Sequence, residues 1–98
     1  MAKDSLADFQ RALHSLFQVE TEAGAVTIQL VKVENTTSSP QIEQFSLLFT
    51  GPATPFLPQQ LYRMQHEELG ELVLFMVPIG REKDGYLYEI VFNRLIEG

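Results

Sequence analysis

The chain of 98 residues has no cysteine. A disulfide framework and a thiolate metal site are therefore both excluded, and packing alone must hold the fold. Basic residues are also scarce: seven Lys and Arg stand against thirteen Asp and Glu, a net charge of -6. The seven are dispersed, at Lys3, Arg11, Lys32, Arg63, Arg81, Lys83 and Arg94. A nucleic-acid surface draws its affinity from clustered Lys and Arg that displace counterions, so no nucleic-acid partner is expected. No apolar run approaches the roughly 18 residues needed to cross a bilayer, so no membrane partner is expected either. The N-terminal MAKDSLADFQRAL lacks the apolar core of a signal peptide, which places the chain in the cytoplasm by expectation. Gly-rich phosphate loops and the Gly-x-Ser-x-Gly elbow are missing as well.

What remains is an ordinary globular composition, 45% hydrophobic and 20% charged, in a length suited to one domain spanning 1–98. Its organisation is rhythmic. Ser5 and Asp8 have the spacing of a capping box with Asp in place of Glu, and Asp4 or Ser5 is the N-cap. Leu6, Phe9 and Leu13 then fall on one helical face. So short a helix must dock, and lying across a barrel opening buries that face. From Leu16 the period becomes two, with Phe17, Val19 and Thr21 alternating with polar residues. Glu22-Ala23-Gly24-Ala25 reads as a hairpin turn with Gly24 at positive φ. Val26, Ile28 and Leu30 point inward, but Val31 and Val33 lie on the opposite phase, which predicts a bulge or a strand that passes from one packed face to another.

Residues 35–41, NTTSSPQ, form an exposed loop, after which Phe45, Leu47 and Phe49 resume the alternation. The two prolines of 53–60 exclude a central strand there. Residues 58–70 fit either a helix from Pro58 to Gly70 or a strand over 60–66 with a Glu67–Gly70 turn; the broken apolar stripe favours the strand. Leu72 to Ile79 is apolar on both faces, which predicts the most buried strand, closed by Pro78 and Gly80. After the charged turn REKDG, Tyr86, Tyr88, Ile90 and Phe92 face one way and Leu87, Glu89, Val91 and Asn93 the other. The expected fold is mainly β: a small six-stranded antiparallel barrel or twisted roll with a short N-terminal helix. Phe17, Phe45, Phe49, Phe75 and Phe92 are expected to fill its interior.

Few residues suggest chemistry. His14 and His66 are far apart, and His66 beside Glu67 and Glu68 reads as a strand-end histidine next to a solvated acidic turn that also includes Glu71. Glu89, inside an apolar strand, is expected to pair with Arg63 or Arg94 across the sheet or to face solvent. No cofactor, metal ligand set or catalytic residue is expected. Pro55, Phe56, Leu57 and Pro58 either plug one end of the barrel or form a partner-facing patch.

The ordered segments FSLLFTGP (45–52), LPQQLYRMQHEELG (57–70), LFMVPIG (74–80) and YEIVFN (88–93) resemble a family of small bacterial proteins of unknown function. The resemblance implies a stand-alone, β-rich protein and supports strand over helix at 59–66. It also implies association with phage-tail-collar-like proteins, and hence an accessory role in a tail-like or surface structure. The functional expectation is a non-enzymatic protein-interaction or assembly module, with a homodimer through a sheet edge as one form. The alternative is a small-ligand-binding or catalytic barrel using Tyr62, His66, Tyr88 and Glu89.

Overall fold

A computed structural model describes residues 4–95. One helix, α1 (Leu6–Arg11), precedes six strands: β1 (Leu16–Thr21), β2 (Gly24–Asn35), β3 (Ile42–Pro52), β4 (Gln60–His66), β5 (Gly70–Glu82) and β6 (Gly85–Leu95). All pair antiparallel, in the ring order β1-β2-β3-β6-β5-β4. The ring closes between β1 and β4 through Gln18↔Gln65 and Val19↔Met64. The structure is therefore a barrel.

Ser5 is the N-cap, and the capping box forms: its hydroxyl accepts the Asp8 N–H while the Asp8 carboxylate accepts the Ser5 N–H. The helix then docks through Phe9, whose ring lies 6.5, 5.9 and 5.4 Å from those of Phe17, Phe45 and Phe92. Leu6 packs against this cluster, but Leu13 does not join the helical face. The helix ends at Arg11, and His14, at a φ of 73°, turns the chain so that its N–H donates to the Leu30 carbonyl. Ala12 is the residue buried there instead.

The β1–β2 hairpin turns at Glu22–Ala23, with Gly24 at a φ of 119° paired to Thr21. The bulge in β2 falls between Leu30 and Lys32. It marks the point where β2 leaves β1, its partner through Gln29, for β3, its partner from Gln29 onward. Val33 reaches the core from the shifted phase, as an extra residue in one strand requires. Residues 60–66 are a strand, and Gly70, at a φ of 74°, returns the chain into β5.

β5 departs from expectation in two ways. Leu72, Leu74 and Met76 are buried, but Val73 and Phe75 lie on the outer face, and Phe75 is 49% exposed. Phe75 is therefore not an interior residue. A period-2 strand is buried on both faces only if a second layer covers it, and no described element packs outside β5. Nor do Pro78 and Gly80 end the strand: Pro78 pairs with Tyr88, the register shifts before Gly80, and pairing continues to Glu82↔Gly85. A proline is tolerated at such a bulge because it sits beside an interrupted ladder. The turn thereby shrinks to Lys83–Asp84.

The barrel is filled by its own side chains. Phe17, Val19, Ile28, Leu30, Phe45, Leu47, Phe49, Met64, Met76 and Tyr88 are essentially inaccessible to solvent. Among the described residues, every buried side-chain N or O atom has a hydrogen-bond partner.

Candidate functional site

The link between β3 and β4 divides the four residues expected to act together. Leu57 is 2% exposed, and its N–H donates to the Tyr88 hydroxyl at 3.0 Å. Tyr62 donates its own hydroxyl to the Pro58 carbonyl at 2.5 Å. Leu57 therefore seals the barrel end. Phe56, its neighbour, is 47% exposed and rests edge-on against Tyr86, with ring centroids 4.9 Å apart. Pro55, Phe56, Pro58 and the rim of Leu57 line a shallow depression of about 130 Å³ with Thr21, Ala23, Gln60 and Tyr62. Burial, with Tyr88 nearby, pushes the Tyr62 hydroxyl pKa up. Burial raises Tyr88 too, partly offset by the Leu57 N–H, with Tyr86 adding to the rise. Both stay protonated phenols.

His66 closes the opposite end of β4. Its Nδ1 accepts the N–H groups of Glu68 and Leu69 at 3.0 and 3.1 Å, and its ring lies 4.4 Å from that of Phe17. Its Nε2 is 2.7 Å from the Ser15 hydroxyl, which donates onward to the Ala12 carbonyl. The distance suits a nucleophile and its base, but the polarity is reversed. With Nδ1 accepting two protons, Nε2 must carry the ring hydrogen and donate it to Ser15. A donor nitrogen cannot take the hydroxyl proton, so the pair ties α1 and the start of β1 to the β4–β5 turn. Burial lowers the His66 pKa, opposed by the carboxylates of Glu68 and Glu67. Ser15 lies 51 residues from His66, and no local pattern announces the contact.

Glu89 is not paired with Arg63 or Arg94. Arg63 bonds Glu71 at 3.0 Å, while Arg94 bonds Glu43 at 2.9 Å and Asp4 at 3.3 Å. Pairing places Glu89 directly opposite Leu48 on β3 and Val77 on β5, on the outer face. The four residues of the ligand-site alternative therefore do not converge. Tyr62 and Tyr88 are held by the link, His66 by Ser15 and the β4–β5 turn, and Glu89 lies outside the barrel. Among the described residues no three His, Asp or Glu side chains gather to hold a metal ion. No helix among them is long and apolar enough to cross a membrane.

The outer surface holds exposed apolar side chains, among them Phe75, which was expected inside the barrel. Leu61 and Phe75 stand directly opposite across β4 and β5. With Val73, Ile79 and Val91 they are each about half exposed or more. The signal was present in the apolar residues on both phases of 72–79, where no described element covers the second face. Ring closure leaves some backbone unpaired too: among the described residues, 70–76 ladder only with β4 and 90–95 only with β3.

One family profile, described as Domain of unknown function (DUF6916), matches residues 5–92. The chain belongs to this family. The DUF6916 match runs from the N-cap of α1 into β6, so it takes in the capping box, the closed ring and the outer face. No curated protein and no solved structure matches the chain.

Proposed function

We propose that this DUF6916 protein is a non-enzymatic protein-interaction or assembly module whose contact surface is the outer face of the barrel. The observation that carries the reading is the cross-strand pair Leu61 and Phe75, exposed beside Val73 on a face where antiparallel sheets normally present polar residues. Scattered exposed apolar side chains are ordinary, whereas adjacent ones on one sheet face mark a surface that another molecule covers. A core filled by its own side chains, and the dispersal of Tyr62, His66, Tyr88 and Glu89, argue against chemistry in the interior. The unpaired backbone of 70–76 and 90–95 suits partners that add a strand, a second copy of the chain included. The negative net charge and scattered cations speak against nucleic acid. The sequence resemblance makes a tail-like or surface assembly, built in the cytoplasm, the setting we favour.

The test uses the double variant Leu61→Ser/Phe75→Ser. The reading requires its urea stability to stay within about 1 kcal/mol of the parent, because outer-face substitutions touch no core. It also requires loss of the mass increase or of the co-purifying proteins that the parent shows in sedimentation and affinity capture from the host. If the variant unfolds, or keeps the same associations, the outer face is not the contact surface.

A further inference from the structure

The outer face of β3, β6 and β5 holds a carboxylate among apolar neighbours. Glu89 has Leu48 and Val77 directly across on either side. Leu87 and Val91 share its face two residues away along the strand. Ile79 and Leu48 wall a depression of about 170 Å³ that also includes Lys32, Glu34, Ser46 and Glu89. The charges there do not balance, with one ammonium against two carboxylates. Lys32 is taken up by Glu34, 3.6 Å away, and Glu89 has no ion-pair partner among the described residues.

We infer that this face docks a protein segment presenting an arginine or lysine flanked by aliphatic side chains, with the cation on Glu89 and its neighbours on Leu48, Ile79 and Val91. The inference rests on the interaction-module reading and gives it a partner chemistry. Charge selects the occupant. A second copy of this chain brings a further net charge of -6 toward a face already in acidic excess, so like-charge repulsion opposes self-docking. A basic segment gains from the same excess. The apolar surround makes that gain specific: once a partner covers Leu48, Ile79 and Val91, water leaves the carboxylate and the effective dielectric falls. Such a ring of apolar contacts around one polar anchor is how interfaces concentrate their binding energy. An arginine adds a second hydrogen bond through its planar fork, so arginine outranks lysine in the occupant.

The experiment pans a displayed library of random dodecamer peptides against the folded chain, then measures the enriched peptides by titration against the parent, Glu89→Gln, Glu89→Lys and Val91→Ser. Thermal melts confirm that each variant is folded. The inference expects enriched peptides with Arg or Lys between aliphatic residues, bound about tenfold more weakly by Glu89→Gln and not measurably by Glu89→Lys. Peptides without a cation that lose binding in Val91→Ser but not in Glu89→Gln would overturn the cation chemistry and leave the docking face standing. Absence of enrichment, or peptides indifferent to all three substitutions, would overturn both.

Discussion

Replacing His66 by leucine removes one acceptor and one donor from the junction of α1, β1 and the β4–β5 turn. Three hydrogen bonds are lost, those to the N–H of Leu69, the N–H of Glu68 and the hydroxyl of Ser15, which keeps its bond to the Ala12 carbonyl. A buried polar group left unsatisfied costs about 1–3 kcal/mol, and one that water can reach costs much less. Only the Leu69 bond is wholly buried; the other two are partly exposed, beside a depression of about 120 Å³ lined by Asp8, Arg11, Ala12, His66, Glu68 and Leu69. Leucine keeps the apolar contact with Phe17, so the expected loss in His66→Leu is about 2–3 kcal/mol, dominated by one amide. That is a large fraction of the roughly 5–15 kcal/mol typical of a domain. The loss should depend on pH with a definite sign. Burial lowers the folded-state pKa of His66 below its ordinary 6.5, so in that window the unfolded chain binds more protons than the native one. The contribution is complete above the unfolded pKa and declines as pH falls from about 6.5 toward the folded value. Asp8 and Arg11 on the helix and Glu67 and Glu68 on the turn surround the site, and the leucine variant retains all four, so the difference between the two proteins isolates the imidazole. Urea denaturation of both from about pH 8 to pH 5 should show the gap narrowing with acid. A gap that stays constant, widens with acid, or never exceeds about 0.5 kcal/mol would refute the assignment of Nδ1 as a double acceptor.

Four other substitutions probe the rest of the frame. A Cβ on Gly85 would lie 1.9 Å from the Gly51 carbonyl oxygen, and no flexible side chain can yield there. Gly85→Ala should therefore cost about 3 kcal/mol or more in denaturant titrations, whereas Gly70→Ala, with open space but a φ of 74°, should cost about 1 kcal/mol. Tyr88→Phe strands the buried Leu57 N–H and should lose about 1–3 kcal/mol by the same measurement. His14 is exposed and holds a φ of 73°; His14→Gly should raise the melting temperature slightly, with a gain of at most about 1 kcal/mol, because glycine occupies that region without strain.

Some outcomes were fixed locally. The capping box needs only Ser5 and Asp8, three residues apart, and Gly24 and Gly70 adopt the positive φ that their turns demand. The β2 bulge was legible because an added residue inverts the side-chain phase, and Leu30 followed by Val33 displays that inversion in the sequence itself. The aromatic interior followed from the same arithmetic at Phe17, Phe45 and Phe49. The candidate surface was less legible. Phe56 and Leu57 are adjacent and equally apolar, yet one lies open and the other sealed, because Leu57 meets the Tyr88 hydroxyl from 31 residues away.

Period and turn chemistry act over a few residues, so the sequence by itself determined five of the six strands, the inward faces of β1, β2, β3 and β6, and the docking helix, and it favoured the strand over 60–66. Pairing acts across the ring, and it alone decided that Phe75 faces solvent opposite Leu61, that His66 meets Ser15, and that Glu89 sits between Leu48 and Val77. The physical reason is that a strand's sequence sets which side chains share a face, while only its neighbours and any covering layer set what that face meets.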